Sequence, residues 1–446
     1  MFSVITSCLP YLVPLIPWSR GLCVLQDTGR YTYLGFAPQR VLRQDTLPTP
    51  DDPHSLWDVP PPCPALQPKE DLPPFQTGWM GFWGYEMLHG LERQGVKPYP
   101  PYAPYPFAWM GYYPAIVALD HHQKRAVAMA SGFPETTPTA WERTAQKRLR
   151  VLTATYLKLL AAQTTTMPPC PALPVLTPLL SPETYTGMVQ DARTSIAAGT
   201  VYQVNIAQAF SGRYAKKNLP PLYHALNQRH PAPYGGFLDM GDTVLLSLSP
   251  ELFFHLSPQN DLTMRPMKGT RPRDTQDPVK DAHLKTHLQT SEKDRAENLM
   301  IVDLMRHDMA KLCHAGSVMV SELWSVESYS YVHQMTSTLR GKVYEGTDPI
   351  TILKTLFPSG SVTGAPKIKA IDEITRIEPM ARGPFCGSMG YISATGDMQF
   401  NVLIRTLVWG KNRLYLHTGC GIVADSDPAM EYQESLAKTG FLKPMP

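Results

Sequence analysis

Four cations fall within the eleven residues Thr263 to Arg273: Arg265, Lys268, Arg271 and Arg273. Pro266 and Pro272 stiffen the backbone around them. Gly269, directly after Lys268, lets the chain approach a ligand closely. Thr270 adds a hydroxyl and an amide, and Lys268 can act as a point charge or as a nucleophile. Taken alone, such a stretch fits either a ligand bearing carboxylates or a solvated basic loop.

Carboxylates follow in places where they need partners. Glu251 comes right after Ser249-Pro250 and before Leu-Phe-Phe. It is either a turn residue at the surface or an acid whose pKa is raised by apolar surroundings. Residues 291–312 read as one long helix with a capping-box-like start at Ser291 and Asp294. Glu297, Ile301, Leu304 and Asp308 fall on one stripe of it, and a core-facing carboxylate there demands a counter-charge. A second acidic helix opens at Asp427-Pro428 and carries Glu431 and Glu434 one turn apart. Two helices presenting glutamates suit Mg²⁺, which takes one or two carboxylates and keeps sites for water and substrate; two solvated helix faces would read the same way.

Anion-binding pieces lie between these helices. Small residues at 359–365 precede Pro366 and a helix through Ile371 and Ile374, an arrangement in which backbone N–H groups at a helix start face a negative group. Residues 401–405 read as a strand delivering Arg405, a bidentate partner for a carboxylate. Residues 416–423 read as a strand whose Gly419 and Gly421 let the backbone donate. On the strand starting at Val201, Gln203 and Asn205 share a face opposite Tyr202, Val204 and Ile206; that face lines a site or meets solvent. The inferred ligand is a small polycarboxylate, with Mg²⁺ bridging one carboxylate to the protein. No Ser/His/Asp order, Walker motif or dinucleotide fingerprint occurs.

The elements that must position these groups are legible in outline. Residues 21–36 form two strands around a turn at 27–29. Residues 77–92 form a strand turning into a short helix at Tyr85, and 106–119 and 124–130 form further strands. A helix spans 140–162. Another begins at the Ser181 cap and stops at Gly199, and 243–255 is strand, interrupted at Ser249-Pro250. Proline, 45 residues in all, concentrates in 47–74, 98–114 and 168–182, which are expected as loops. The chain of 446 residues is long enough for two or three domains or one large one. The division expected is an N-terminal region 1–165, a Pro/Thr-rich linker 166–180 and a catalytic domain 181–446. With 41 Lys+Arg against 38 Asp+Glu, net +3, nothing points to nucleic acid. Seven cysteines without a C-x-x-C support neither disulfides nor structural zinc, and fit reduced thiols in a cytoplasmic protein. No signal peptide or apolar run of membrane-spanning length is seen, so no membrane association is expected.

Six stretches, in order, resemble the chorismate-utilising enzymes, the family of the anthranilate, aminodeoxychorismate, isochorismate and salicylate synthases. They are IAAGTVYQVNIAQ (196–208), SLSPELFF (247–254), RPMKGTRPR (265–273), EKDRAENLMIVDLMRHD (292–308), SGSVTGAPKIKAI (359–371) and GCGIVADSDPAMEYQES (419–435). GWMGFWGYEMLHGLE (78–92) adds a weaker match. The resemblance implies an α+β fold of large antiparallel sheets flanked by helices. It implies Glu297 and Glu434 as Mg²⁺ ligands, Glu251 as general acid, and chorismate contacts from Gly269, Thr270, Arg405, Gly419 and Gly421. The same ligand set takes in Gln203, Thr363, Gly364, Phe385, Cys420 and Lys438.

Two positions sort the family's branches. A water-activating lysine of the isochorismate and salicylate branches is replaced here by Gln203, which implies ammonia as nucleophile. Lys268 stands where anthranilate synthases carry alanine, which implies the aminodeoxychorismate branch: Lys268 adds to the ring and ammonia from a separate glutaminase subunit displaces it. The neighbouring Arg265, Arg271 and Arg273 are expected to help lower the Lys268 pKa. Phe385 stands in place of a chorismate-contacting tyrosine of anthranilate synthases, and Gln334 in place of a histidine near the departing enolpyruvate; His333, one place away, should face the other way. His307 and Met309 replace an Asn and a Gly as tolerated helix changes. Some members bind tryptophan at stretches corresponding to Leu25–Thr28 and Pro231–Tyr234; Asp27 replaces the expected serine.

Overall fold

The computed structural model describes residues 2–11, 21–49, 55–57, 65–91, 105–162, 171–329 and 332–442. Part of each expected proline-rich loop and residues 166–170 of the expected linker lie outside them.

Many strands of this chain are apolar on both faces, so each must be covered twice. Leu25, Tyr33, Ile116 and Val127 point into one core, while their neighbours Val24, Leu34, Val117 and Ala126 point into another. The described residues answer this with two antiparallel sheets, of twelve and ten strands. The core between them takes Tyr33, Ile116 and Leu245 from the twelve-stranded sheet and Met80, Phe82 and Met389 from the ten-stranded one. The outer face of the twelve-stranded sheet is covered by the helices Pro138–Ala162 and Leu219–Arg229. The outer face of the ten-stranded sheet, with Trp79 and Trp83, shares a core with the helices Pro182–Ala197, Glu292–Ala310, Pro349–Leu356 and Lys367–Ile377. This is the α+β architecture of large antiparallel sheets expected from the resemblance.

Both sheets draw strands from both halves of the chain. Cys23–Asp27 pairs with Gly236–Asp239, and Gly78–Trp83 pairs with Ser388–Ser393. The run 106–119 is two strands rather than one. Ala108–Tyr113 belongs to the ten-stranded sheet and Ala115–Asp120 to the twelve-stranded one, with the switch at Pro114, whose ring cannot donate to a ladder.

A second pair of switches matters more. Thr243–Ser247 and Thr406–Gly410 are neighbours in the twelve-stranded sheet; Leu252–Leu256 and Met398–Asn401 are neighbours in the ten-stranded one. The connections 248–251 and 402–405 therefore cross between sheets side by side. They are laced by Leu248 N donating to Arg405 O (3.1 Å), Val402 N to Glu251 O (3.1 Å) and Ser249 Oγ to Val402 O (2.6 Å). The expected strand 401–405 is corrected here: it ends at Asn401, and Arg405 sits in the crossover with φ +49°.

The expected helix at 291–312 is Glu292–Ala310, preceded by a separate helix, Pro278–Thr290, that the sequence reading did not find. Among the described residues, no helix is long and apolar enough to cross a membrane.

Candidate active site

The cationic stretch forms the strand Met267–Pro272, antiparallel to Val332–Lys342. Met267 pairs with Thr336 and Thr270 with Gln334, so three steps on one strand oppose two on the other. The extra residue makes a bulge. Gly269 accommodates it at φ +82°, a conformation that a side chain would strain. The bulge carries Lys268, half-buried, off the ladder.

Three polar side chains converge where Gly421 lacks a Cβ. An atom there would lie 2.3 Å from Gln203 Nε2, 3.0 Å from Asn205 Oδ1 and 3.3 Å from Lys268 Nζ. Glycine at 421 thus leaves room chiefly for the Gln203 amide, with Asn205 and the Lys268 amine close beside it. Asn205 is fixed by donating to Ser361 O (3.0 Å). Gln203 is fully buried and its amide has no hydrogen-bond partner on either atom. A buried amide in that state is a group waiting for a ligand or water.

The charges around Lys268 come from three elements: the 248–251 crossover, the Glu292–Ala310 helix and the Pro428–Ala437 helix with its C-cap Lys438. Burial lowers its pKa and Lys438 adds to the effect, while Glu297, Glu251 and Glu434 oppose it. The expected role of the three arginines is corrected. Arg265 pairs with Glu327 (2.5 Å), Arg271 with Asp294 (2.7 Å) and Arg273 with Asp281 (2.8 Å). Each guanidinium is neutralised by its own carboxylate, and the cation acting on Lys268 is Lys438.

Glu251 is buried in its crossover, with Oε1 unpartnered. Burial pushes its pKa up to about 7; Ser361, Lys268 and the Met267 backbone favour the charged form without offsetting that. Of the two readings the sequence left open for Glu251, this burial excludes the surface turn residue. Ser361 is a site residue that sequence reading passed over, hidden in the small-residue loop.

The two carboxylate helices face each other across the site. Burial raises the pKa of Glu297; Lys268 and Lys293 oppose this, and Asp294 and Glu431 reinforce it. Asp427 caps the second helix by accepting from Met430 N at 2.9 Å, which places Glu431 and Glu434 on its first two turns. Ligand atoms of Cys420, Glu431 and Glu434 lie within 4.8 Å of one another. Burial disfavours the charged form of Glu434, but Lys438, bonded to its Oε1 at 2.8 Å, outweighs it and the pKa falls. Lys438 Nζ also donates to Gly419 O (2.6 Å) and approaches Cys420 Sγ at 3.8 Å. The buried Cys420 thiol is pushed up to about 12, so it adds no charge. Glu431 and Glu434 are a close pair of hard-oxygen donors that fits Mg²⁺, and Glu297 lies near enough for the Glu431 charge to act on it.

Asp308, at the far end of the Glu297 stripe, finds its counter-charge in Lys367 at 2.5 Å, and serves structure rather than the site. The helix expected after the small residues at 359–365 begins at Lys367, directly after Pro366, and runs through Ile371 and Ile374. The Thr363 hydroxyl donates to the Ser359 carbonyl (3.1 Å). Gly364 bridges to Val204, where a Cβ would lie 2.2 Å from Gln203 O. The Arg405 carbonyl accepts from Leu248 N, and its charge, after burial, lowers the pKa of His230. Phe385 stacks on His417, ring centroids 5.6 Å apart. His333 does face away, bonded to Asp281 (3.0 Å) and Ser328 (2.9 Å), while Gln334, opposite Thr270, has a buried Oε1 without a partner.

Residues 22–444 match the chorismate binding enzymes. Aminodeoxychorismate synthase component 1 of Klebsiella aerogenes is 37% identical over 83% of this chain and 77% of its own length. An aminodeoxychorismate synthase of Streptomyces griseus is 36% identical over 82% of this chain, which spans 50% of that protein's length. Among solved structures, anthranilate synthase component I from Streptococcus pneumoniae TIGR4 superposes with a TM-score of 0.80 at 28% identity, covering 93% of this chain and 92% of that one. A family match over nearly the whole chain, on a fold that gathers Glu251, Lys268, Glu297 and Glu434 into one site, makes this chain a member of the chorismate binding enzymes.

Proposed function

We propose that this enzyme is an aminodeoxychorismate synthase component I, which aminates chorismate with ammonia in a Mg²⁺-dependent reaction and retains the enolpyruvyl group. The observation that carries the reading is the Lys268 amine, desolvated to a lowered pKa and held beside the unpartnered Gln203 amide. A lowered pKa keeps more of the amine neutral and nucleophilic.

In this reading Lys268 Nζ attacks C2 of the ring, the double bond shifts, and the C4 hydroxyl departs. Glu251, whose raised pKa of about 7 keeps a share of it protonated near neutral pH, gives that oxygen its proton, so it leaves as water. Ammonia then adds at C4, the double bond shifts back and the Lys268 amine leaves from C2; the proton shed by the new ammonium restores the Glu251 acid. Chorismate and ammonia become 4-amino-4-deoxychorismate and water. Glu297 and Glu434, with Glu431 beside them, would hold Mg²⁺, which when bound supplies positive charge against the ring carboxylate. Gly269, Thr270, Arg405, Gly419 and Gly421 contact chorismate in this reading, and Gln203, Thr363, Gly364, Phe385, Cys420 and Lys438 complete the substrate's surroundings. Ammonia comes from a separate glutaminase subunit. The product would serve p-aminobenzoate and folate synthesis in the cytoplasm.

The second reading is anthranilate synthase component I, which the similarity to the Streptococcus pneumoniae structure favours. Mass spectrometry of chorismate incubated with the protein, Mg²⁺ and ammonium separates the two. The expected product is 4-amino-4-deoxychorismate without pyruvate; anthranilate and pyruvate as main products would reject the proposal.

A further inference from the structure

The bulge that lifts Lys268 off its ladder is braced from the side by one carboxylate. Asp294 lies on the first turn of the Glu297 helix, its amide held by Ser291 Oγ at 3.3 Å. Its Oδ2 accepts from Arg271 Nη2 at 2.7 Å. Its Oδ1 would lie only 2.8 Å from a Cβ at Gly269, so the bulge backbone rests directly against it. Arg271 in turn holds the neighbouring helix Pro278–Thr290 through His287 Nδ1 (3.2 Å). Asp294 precedes Glu297 by three residues, so both lie on one side of the helix. The strand bearing the amine and the helix bearing the carboxylate thus meet at Asp294.

We propose that Asp294 is a positioning residue that clamps the 268–269 bulge to the Glu297 helix and so fixes the Lys268 amine relative to the carboxylates. The proposal rests on Lys268 being the nucleophile. It extends the site by one residue that touches neither chorismate nor metal and acts through Gly269 and Arg271. A bulge has no ladder of its own to restore its geometry, so removal of the brace lets the amine and Gly269 drift while the chorismate contacts outside the bulge, at Gly419, Gly421 and Arg405, stay in place.

The test compares Asp294→Ala, Asp294→Asn, Arg271→Ala and the Asp294→Ala/Arg271→Ala double variant, with Lys268→Ala as reference. Amination is assayed at saturating ammonium and Mg²⁺, and chorismate Kd is measured by calorimetry. A misplacement of the amine predicts that Asp294→Ala loses kcat by about tenfold or more with Kd unchanged within about threefold. Asp294→Asn, which still offers Arg271 an oxygen, keeps kcat within about threefold of wild type. The double variant is no worse than the poorer single one, because the two residues act through one contact. If Asp294→Ala does not fold, Arg271→Ala reads the same contact. Wild-type kcat in Asp294→Ala while Lys268→Ala is inactive overturns the clamp alone. Parallel loss of kcat and chorismate affinity without rescue by Asp294→Asn also overturns it. Wild-type turnover by Lys268→Ala removes the nucleophile reading and the clamp with it.

Discussion

Glu251 is the residue whose environment speaks most directly to chemistry. A carboxyl raised to about 7 by burial is charged at a higher cost in the folded chain than in the unfolded one. The folded state therefore binds the proton more tightly between the unfolded value of 4.5 and about 7, and stability falls as pH rises through that window. Glu251→Gln removes the titration. It should gain on the order of 3 kcal/mol over wild type at pH 8 relative to pH 4, read from urea denaturation at the two pH values. An equal difference at both pH values would deny the shift. The same variant should lose most amination, since a carboxamide cannot donate the proton that the C4 oxygen needs.

The helices that carry the site end where the sequence says they do, because capping is local. Ser181, Ser291 and Asp427 each accept the amide expected of an N-cap. The same signal went unread at Asp277-Pro278 and Asp348-Pro349, each of which also caps a helix. Asp427→Ala should cost about 1 kcal/mol of stability. It should also weaken Mg²⁺ binding, because Glu431 sits on the turn that frays. Thermal melts and calorimetric Mg²⁺ titration of the variant check both; unchanged Mg²⁺ affinity would separate that turn from the metal site. Other features could not be read locally. The partners of Arg265, Arg271 and Arg273 lie at Glu327, Asp294 and Asp281, and only folding shows that these carboxylates cancel the field expected at Lys268. Arg405 looked like a strand residue because Asn401 to Arg405 is apolar and extended in pattern. Its crossover conformation is fixed by residues 248–251, about 150 positions away by sequence. The bulge at Lys268 was likewise invisible, since it exists only as a register between two strands. Lys268, Glu251, Glu297 and Glu434 stood out by type and spacing, each with a solvated or surface reading beside it, and only the resemblance implied their roles.

At the scale of the whole molecule, the two sheets tie the halves of the chain together. Gly390 shows how tightly. It lies between Gly81 and Phe400, and a Cβ on it would fall 1.9 Å from Gln399 O. Neighbouring backbones cannot yield such a distance without moving. Gly390→Ala should destabilise at or above the upper end of the roughly 1–3 kcal/mol typical of overpacking. Because the strand at 388–393 pairs with 78–83, near-UV signals from Trp79 and Trp409 should be lost in one transition. Two separated transitions would show that the halves unfold independently. The shared sheets also explain the position of the site. It lies where the strands 203–213 and 413–422, the bulged strand 267–272 and the two glutamate helices meet, and each element is held by a different part of the fold.

The central claim is that the Lys268 amine is the group that first attacks the substrate. Amination by Lys268→Ala, measured beside its calorimetric affinity for chorismate, tests this most directly. The expected result is loss of most 4-amino-4-deoxychorismate formation in saturating ammonium while chorismate still binds. Turnover at the wild-type rate would contradict it.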